Sequence, residues 1–284
     1  MHLQVLGRRG DGFHDIFTVF QTVSLHDTLT FERAETVELE CSHLGVPGDD
    51  SNLIIRAAKM LQKELKISHG ARIRLDKQIP MGGGLGGGSS NAAVALIGLS
   101  NLWDAAVTPQ VLTSLAMSIG SDVPFFLTGG TAIGAGRGTD LEAIGDCEAK
   151  YLIIVTPDIH VSTATAYADL GAQSLTNGEA NRILRVCRSE AESPDFLHST
   201  LKNDFESTVF AAFPEIGRAK QTLINLGAKQ ALMSGSGASV FGIFDKEETR
   251  RAALKALDNE VNWRKFAVAA VSRAEYREAL ERAL

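Results

Sequence analysis

Residues 80–103, PMGGGLGGGSSNAAVALIGLSNLW, carry most of the information in this chain. Six of the seven residues 82–88 are glycine, and only Leu85 interrupts them. Such a loop can turn several backbone N–H groups inward, and the missing Cβ atoms let an anion approach closely. A helix directly after the loop adds unsatisfied first-turn donors and the positive end of its dipole. The stretch therefore predicts a phosphate-binding loop, in which Ser89 and Ser90 offer hydroxyls to a phosphate or to phosphate-bound Mg²⁺.

Two widespread phosphate-binding loops do not match this stretch. A Walker A loop closes on Gly-Lys followed by Ser or Thr, which is absent here. The dinucleotide fingerprint needs an acidic residue about 20 positions further on, at the end of a second strand, and none stands there. A flexible glycine-rich linker is the structural alternative. We favour the phosphate loop, because a linker does not usually lie between a strand ending in proline and a capped apolar helix.

Composition argues against several classes of protein. Of 284 residues, 44% are hydrophobic, so the chain can form a packed core and disorder is not expected. The 34 acidic side chains outnumber the 28 basic ones, for a net charge of −6, which argues against a nucleic-acid partner. The longest nearly apolar run, residues 92–99, is far shorter than the roughly 20 residues of a spanning helix, so no membrane partner is expected.

The N-terminus and the cysteines indicate a cytoplasmic protein. The first residues place their apolar side chains before their arginines and have no long apolar core, so no signal peptide is expected. The three cysteines, Cys41, Cys147 and Cys187, are odd in number and widely spaced. They have no metal-ligand spacing, which indicates reduced thiols.

The residues before the glycine loop predict two strands, a helix and a further short strand. Apolar residues alternate over 17–23 and 37–41, which indicates two strands. A capping sequence at 49–52 precedes residues with helical spacing, so a helix is expected there. The short strand that carries Ile73 is expected to end at Pro80.

The residues after the loop predict a second domain. Ser89 or Ser90 is expected to cap the helix that follows the glycines. The strand YLIIVTP begins the second half, and we place the domain boundary just before it, which divides the chain into 1–148 and 149–284. A second glycine cluster, SGSGAS at 234–239, connects two predicted strands. A plain turn is the simpler interpretation of this cluster, although it could also form a second wall of the phosphate site.

Four further side chains have suitable chemistry at positions that ordinary structure also explains. Asp122, in GSDVPFF, can accept a hydroxyl proton from an apolar niche, but a capping or turn role is the simpler interpretation. Phe13 and His14 can stack on and hydrogen-bond a base edge, or merely begin a half-exposed strand. Tyr167 follows a Ser/Thr-rich stretch and is equally ambiguous. The other histidines lack ligand spacing, so no protein-only metal site is predicted.

Together these motifs resemble those of the GHMP small-molecule kinases over nearly the whole chain. PMGGGLGGGSSNAA is similar to the central ATP loop of that family, and SGSGASVF, residues 234–241, to its third motif. GRRGDGFH at 7–14 and GSDVPFF at 120–126 resemble the segments that carry the substrate motif and the catalytic aspartate in members acting on a cytidylylated methylerythritol. SNLIIRAA at 51–58 and NDFE at 203–206 match further segments of those members.

The resemblance implies an α+β fold with two domains. The N-terminal domain would be similar to the second domain of ribosomal protein S5, and the C-terminal one would be ferredoxin-like. It also implies an enzyme that uses ATP with Mg²⁺ to phosphorylate a hydroxyl of the cytidylylated methylerythritol, in the non-mevalonate pathway to isoprenoids. Its partners would be these small molecules, and no oligomeric state follows from the sequence.

The same resemblance assigns roles to individual residues. Asp122 matches the catalytic base. His14 matches the residue that reads the cytosine edge, Phe13 and Tyr167 the aromatics that enclose the ring, and Thr163 a neighbouring polar contact. The residues that match the ATP loop are Pro80, Met81, Gly82, Gly83, Gly84, Leu85, Gly86, Gly87, Gly88, Ser89 and Ser90.

The start of the chain departs from the family pattern. Members carry a Pro-Ala-Lys-x-Asn strand directly before the residues that match His2 and Leu3, and this chain begins at Met1. Two expectations compete: a start codon assigned too late, which we favour, or a truncated form that binds nucleotide but turns over poorly. A GHMP kinase of the homoserine or mevalonate type is a further alternative. The pair Phe13-His14 together with Tyr167 argues against it, because a cytosine enclosure has no use in those enzymes.

Overall fold

The computed structural model describes residues 1–171 and 201–283, and the mixture of strands and helices in them confirms the predicted α+β class. No helix in this part of the chain is long and apolar enough to cross a membrane. The elements, in chain order, are β1 (His2–Arg8), β2 (His14–Gln21), β3 (Thr28–Ala34), β4 (Val37–Cys41), α1 (Leu53–Leu65), β5 (Gly70–Asp76), α2 (Gly87–Leu102), α3 (Pro109–Ile119), α4 (Phe125–Thr128), β6 (Thr131–Gly136), β7 (Asp140–Ala143), β8 (Tyr151–Pro157), α5 (Thr163–Leu170), α6 (Glu206–Ala212), α7 (Pro214–Asn225), β9 (Gln230–Met233), β10 (Val240–Phe244), α8 (Glu247–Ala256), a 3₁₀ turn (Leu257–Asn259), β11 (Trp263–Val268) and α9 (Arg273–Ala283).

The described residues form two compact units whose segments alternate along the chain. The first unit takes its residues from 1–24, 82–85 and 130–274, and the second from 25–81, 86–129 and 275–284. The chain passes from one unit to the other inside the glycine loop, between Leu85 and Gly86. The continuous division between residues 148 and 149 stays a prediction.

The first unit contains two antiparallel sheets of four strands each. One sheet has the order β1-β2-β6-β7, and the other has the order β11-β8-β10-β9. Phe17 and Ile133 are fully buried in the core of the first sheet. Helices α6 and α7 supply Val209 and Ile216 to the core of the second sheet. Each sheet of this unit therefore has its own hydrophobic core.

The second unit is a three-stranded sheet covered by helices. Strand β5 lies in the centre, antiparallel to β3 and parallel to β4. Asn52 caps α1 through its side chain, and Thr108 caps α3 with Pro109 at the first helical position, as the sequence predicts. The apolar faces of α1, α2 and α3 meet β5 in one core, in which Leu61 and Leu96 are fully buried.

Three details differ from the predictions. Strand β5 ends at Asp76, not at Pro80, because the next backbone N–H groups donate to the Asp27 carboxylate. Helix α2 begins at Gly87, before the predicted serine caps. Strand β2 is buried on both faces, since Ile16 and Thr18 are buried as well as Phe17. Of the cysteines, Cys41 and Cys147 are free thiols, and Cys187 lies outside the described residues.

Candidate functional site

The glycine loop presents unpaired backbone donors. Gly82, Gly84 and Gly86 have φ of 64°, 70° and 66°, in the left-handed region that only glycine adopts easily. Alternation of left-handed and ordinary residues turns successive N–H groups to one side of the chain. Among the described residues, the N–H groups of residues 82–86 donate no hydrogen bond. The first N–H groups of α2 follow directly and are unpaired by helix geometry. The loop can therefore bind an anion through a run of backbone donors.

The second glycine cluster, residues 234–239, holds the carbonyl side of the loop. The Ser234 hydroxyl donates to the Gly84 carbonyl at 2.9 Å, and the Ser239 N–H donates to the Gly83 carbonyl at 3.0 Å. A Cβ at Gly84 would lie 2.2 Å from the Ser234 carbonyl oxygen, so no larger residue fits there. The cluster is both the turn between β9 and β10 and a wall of the glycine loop, which leaves the loop N–H groups free.

A buried carboxylate fixes the approach to the loop within the second unit. The side chain of Asp27 is fully buried, and its carboxylate accepts hydrogen bonds from the Lys77 ammonium at 2.7 Å and the Asn91 amide at 2.9 Å. It also accepts from the N–H groups of Gln78 and Ile79. The same carboxylate thus binds the segment before the loop and the first turns of α2. Lys77 is committed to this network and serves as a structural cation.

The start of α2 differs from the predicted serine cap. Gly86 occupies the cap position in the left-handed region, where its carbonyl accepts from the Ser90 N–H at 2.8 Å. Ser89 and Ser90 therefore lie in the first turn of the helix. Their hydroxyls make no hydrogen bond to any residue that the structure describes. Both remain available to a ligand beside the unpaired backbone donors.

Asp122 lies in the short segment between α3 and α4, in the second unit. Burial raises the pKa of its carboxyl above the ordinary value, and a hydrogen bond with the Ser121 side chain opposes that rise. Val123, the next residue, is fully buried. A Cβ at Gly86 would lie 2.8 Å from the Phe126 ring, so the turn that carries Asp122 packs against the start of α2. A partly buried carboxylate with a raised pKa thus lies on a segment in contact with the loop helix.

Tyr276, on α9, supports that same segment from its other end. Its hydroxyl donates to the Phe126 carbonyl at 2.7 Å. Gly129 has φ of 68°, and a Cβ there would lie 2.1 Å from the Tyr276 ring. Burial raises the pKa of this phenol well above its ordinary value, so the hydroxyl stays protonated and keeps donating.

The structure brings together two of the aromatic candidates, His14 and Tyr167, in the first unit. His14 stacks on Tyr167 with ring centroids 4.7 Å apart and planes 18° apart, and Tyr167 meets Phe205 edge-on at 4.8 Å. Burial, followed by the charge of Arg8, lowers the pKa of His14, so its imidazole is neutral at pH 7. A neutral imidazole donates through one nitrogen and accepts through the other, which suits the polar edge of a base.

Phe13 and Thr163 are close to this aromatic group along the chain, next to His14 and four residues before Tyr167. Phe13 is 49% exposed, and the Arg137 guanidinium lies over its ring, 3.5 Å from the centroid. Thr163 opens α5 four residues before Tyr167, and its hydroxyl lies 2.8 Å from that of Ser236 in the second glycine cluster. All four predicted substrate residues therefore occur in the unit that contains residues 82–85 and 234–239.

Comparison with known proteins identifies the family of this chain. Residues 52–130 match the GHMP kinases N terminal domain, and residues 180–262 match GHMP kinases C terminal. A 4-diphosphocytidyl-2-C-methyl-D-erythritol kinase from Gloeobacter violaceus is 41% identical over 251 residues, which are 86% of this chain and 82% of that relative. The chain belongs to the 4-diphosphocytidyl-2-C-methyl-D-erythritol kinase family.

Solved structures agree with this family assignment. A crystal structure of 4-(cytidine 5'-diphospho)-2C-methyl-D-erythritol kinase has a TM-score of 0.75 and 32% identity, and the match covers 95% of both chains. A homoserine kinase from Cytophaga hutchinsonii has a TM-score of 0.68 at 18% identity, which shows a shared fold alone. The GHMP kinase fold is thus confirmed. The family assignment favours the cytidylyl-polyol kinases over the homoserine and mevalonate types.

Several residues around the candidate site of this kinase escape prediction from sequence. Asp27 and Lys77 are ordinary polar residues in the sequence, and only their hydrogen bonds show that they hold the segment before the glycine loop and the first turns of α2. His160 has no metal-ligand spacing in the sequence, but its ring lies against Gly82. A Cβ at Gly82 would be 2.6 Å from the His160 Nδ1. Asn203 and Glu206, in the NDFE segment, hold the second glycine cluster. For Asn203 and Glu206, the sequence feature that could have indicated a role is their place in the NDFE segment, since their residue types are common.

Tyr276→Phe is expected to lower kcat roughly two- to tenfold and to leave both KM values within about twofold. The substitution removes one hydrogen bond from the segment that carries Asp122, and such a bond contributes about 0.5–1.5 kcal/mol. Steady-state kinetics measure this split. Tyr151→Phe is the matched control on β8 and should leave kcat unchanged. An unchanged kcat in Tyr276→Phe would show that α9 does not position this segment.

Proposed function

We propose that this kinase transfers the γ-phosphate of ATP to a hydroxyl of 4-diphosphocytidyl-2-C-methyl-D-erythritol, giving the 2-phosphate and ADP. The reaction belongs to the non-mevalonate route to isopentenyl diphosphate and terpenoids. Family membership supports the substrate. The observation that carries the phosphate chemistry is the glycine loop, whose N–H groups at residues 82–86 are unpaired among the described residues.

ATP would bind along residues 80–90. Glycine N–H donors and the N-terminus of α2 favour the charge of a triphosphate, and that charge spreads over the γ-oxygens during transfer. The absence of Cβ atoms lets the phosphates approach the backbone. The wall at Ser234 and Ser239 fixes the loop before the nucleotide arrives, so little reorganisation is needed during the reaction.

The residues present suit a Mg²⁺ ion carried mainly by the nucleotide. No group of three or more His, Cys, Asp and Glu side chains in the described ranges could hold a metal on its own. Ser89 and Ser90 offer unbonded hydroxyls at the first turn of α2, and Mg²⁺ commonly combines one or two protein oxygens with substrate phosphates and water. When bound, the ion would neutralise phosphate charge.

Asp122 would act as the general base. The substrate hydroxyl oxygen attacks the γ-phosphorus, the bond from that phosphorus to the bridging oxygen of ADP breaks, and the hydroxyl proton passes to the carboxylate. Its raised pKa makes the carboxylate a stronger base than an exposed aspartate. The group must be ionised to act, so activity should fall as pH is lowered through that pKa.

The aromatic group would bind the cytosine end of the substrate. Tyr167 and Phe13 offer ring faces to the base, and the neutral His14 can donate to and accept from its edge. Thr163 adds a hydroxyl next to them. This group supplies no chemistry; it holds the substrate so that one hydroxyl can meet the phosphate.

Tyr167→Leu is expected to raise the KM for the cytidylyl substrate about 10- to 100-fold and leave the KM for ATP within about twofold, since stacking on a base contributes about 1–3 kcal/mol. Two-substrate kinetics separate the two constants. Tyr151→Leu makes the same substitution in the same unit, away from the aromatic group, and should change neither. Equal changes in both constants for Tyr167→Leu would count against the cytosine site.

A coupled ADP assay tests the proposed function. The chain is offered ATP, Mg²⁺ and one acceptor at a time: the cytidylyl substrate, the same polyol without its cytidylyl group, homoserine and mevalonate. We expect rapid ADP release only with the cytidylyl substrate. Faster turnover of homoserine or mevalonate would replace this proposal with that other kinase type, and ATP binding without turnover of any acceptor would support the non-catalytic alternative.

A further inference from the structure

The segment NDFE, residues 203–206, touches both the turn that holds the glycine loop and the aromatic group. Within the described chain the segment follows residues 201–202 and leads into α6. Asn203 is 5% exposed and Phe205 is 1% exposed, so both side chains are committed to internal contacts.

Asn203 binds the start of the second glycine cluster. Its side-chain amide donates to the Met233 carbonyl at 2.8 Å and to the Gly235 carbonyl at 2.7 Å, and its side-chain oxygen accepts from the Phe205 N–H at 3.0 Å. Both amide hydrogens are therefore used on the two residues that flank Ser234. Ser234 is the residue whose hydroxyl holds Gly84.

Glu206 completes this attachment. One of its carboxylate oxygens accepts from the Met233 N–H at 2.9 Å, and the other pairs with the Lys220 ammonium at 2.5 Å. Met233 thus has both its N–H and its carbonyl bound by the segment. The last residue of β9 and the first residues of the turn are held from one side.

Phe205 contacts the aromatic group instead of the second glycine cluster. Its ring meets Tyr167 edge-on, with centroids 4.8 Å apart, and Tyr167 stacks on His14. A second link runs through the turn itself, because Ser236 lies hydrogen-bonded to Thr163 at the start of α5. Three of these four consecutive residues, Asn203, Phe205 and Glu206, therefore contact the support of the glycine loop or the support of the base-stacking rings, all inside the first unit.

We infer that three residues of this segment position the two substrate sites: Asn203 and Glu206 act on the nucleotide loop, and Phe205 acts on the cytosine rings. These are positioning residues, since none of them belongs to the predicted substrate contacts. The inference rests on the proposed function for the identity of the two ligands. It predicts that substitutions at neighbouring residues of this segment weaken the binding of different ligands.

Calorimetric titrations of the full chain with a non-hydrolysable ATP analogue plus Mg²⁺, and separately with CDP, test this inference. Asn203→Asp replaces both donors with a carboxylate that faces two carbonyls, so we expect about tenfold weaker binding of the ATP analogue and CDP binding within about twofold. Phe205→Leu should weaken CDP binding about threefold to tenfold and leave the ATP analogue within about twofold. Ser234→Ala, a milder change, should shift binding in the direction of Asn203→Asp.

Val209→Ala is the matched control, because Val209 is buried in the same core but contacts neither site in this account. It should lower the melting temperature and leave both dissociation constants unchanged. The inference is overturned if Asn203→Asp and Phe205→Leu weaken both ligands alike, or if Ser234→Ala leaves the ATP analogue unaffected. Turnover of the unmodified chain is scored separately. If the unmodified chain turns over but the variants do not each weaken one ligand selectively, only this inference is overturned. If each variant weakens its own ligand but the unmodified chain shows no turnover, only the proposed reaction is overturned.

Discussion

Asp122→Asn should lower kcat by a factor on the order of 10²–10⁴, because an amide cannot take the hydroxyl proton that the carboxylate accepts. The substitution keeps the size of the side chain, so the KM values should stay within a few-fold. Asp104→Asn is the matched control in the same unit, since that carboxylate is exposed and pairs with the exposed Arg33. An exposed pair contributes little, so the control should retain its activity and its stability.

The same substitution should raise thermal stability at neutral pH. Burial places the pKa of Asp122 above its unfolded value, so ionisation of this group opposes folding at pH values above that pKa. The neutral asparagine does not carry this penalty. The melting temperature of Asp122→Asn should therefore exceed that of the unmodified chain at pH 7.5, and the difference should shrink as pH falls below the folded pKa. A less stable Asp122→Asn, or one with unchanged kcat, would contradict the role assigned to this carboxylate.

Gly84→Ala should abolish measurable nucleotide binding. The residue has φ of 70°, and an added Cβ would lie 2.2 Å from the Ser234 carbonyl oxygen and 2.8 Å from the Gly237 carbonyl oxygen. Backbone atoms on both sides cannot move without breaking the hydrogen bonds that hold the loop. We expect the KM for ATP to rise at least about 100-fold, because the loop donors lose their alignment.

Gly145→Ala is the matched control in the same unit. A Cβ there meets nothing within 4 Å, and its φ is not in the left-handed region. Circular dichroism should show a folded chain for both variants, and calorimetry should show ATP-analogue binding only for the control. Binding by Gly84→Ala at the affinity of the unmodified chain would mean that the turn at 234–239 does not shape the nucleotide loop.

The local elements were largely predictable because their signals are local. The caps at Asn52 and Thr108 and the helical spacing after them needed no tertiary information. The start of α2 was misplaced because serine is the usual capping residue, whereas here Gly86 takes a backbone conformation that serine would adopt only under strain. The early end of β5 was missed because it depends on Asp27, which lies 49 residues before Asp76.

The candidate site was predictable only where one residue type carries the chemistry. The glycine loop can be recognised from its composition alone. The structure adds that its N–H groups are unpaired among the described residues. Asp122, Phe13, His14 and Tyr167 each have a structural explanation, which is the simpler one for Asp122, and the family resemblance is needed to assign them a functional role. The hydrogen bonds of Asn203 could not be predicted, because they join segments about 30 residues apart through two backbone carbonyls.

The most direct measurement of the central claim is a ³¹P NMR spectrum of the chain incubated with Mg²⁺, ATP and 4-diphosphocytidyl-2-C-methyl-D-erythritol. We predict that the γ-phosphate resonance of ATP is replaced by a new phosphomonoester resonance in equal amount, with the diphosphate of the substrate intact and ADP formed. Release of inorganic phosphate alone, or an unchanged spectrum in the presence of bound nucleotide, would contradict the account.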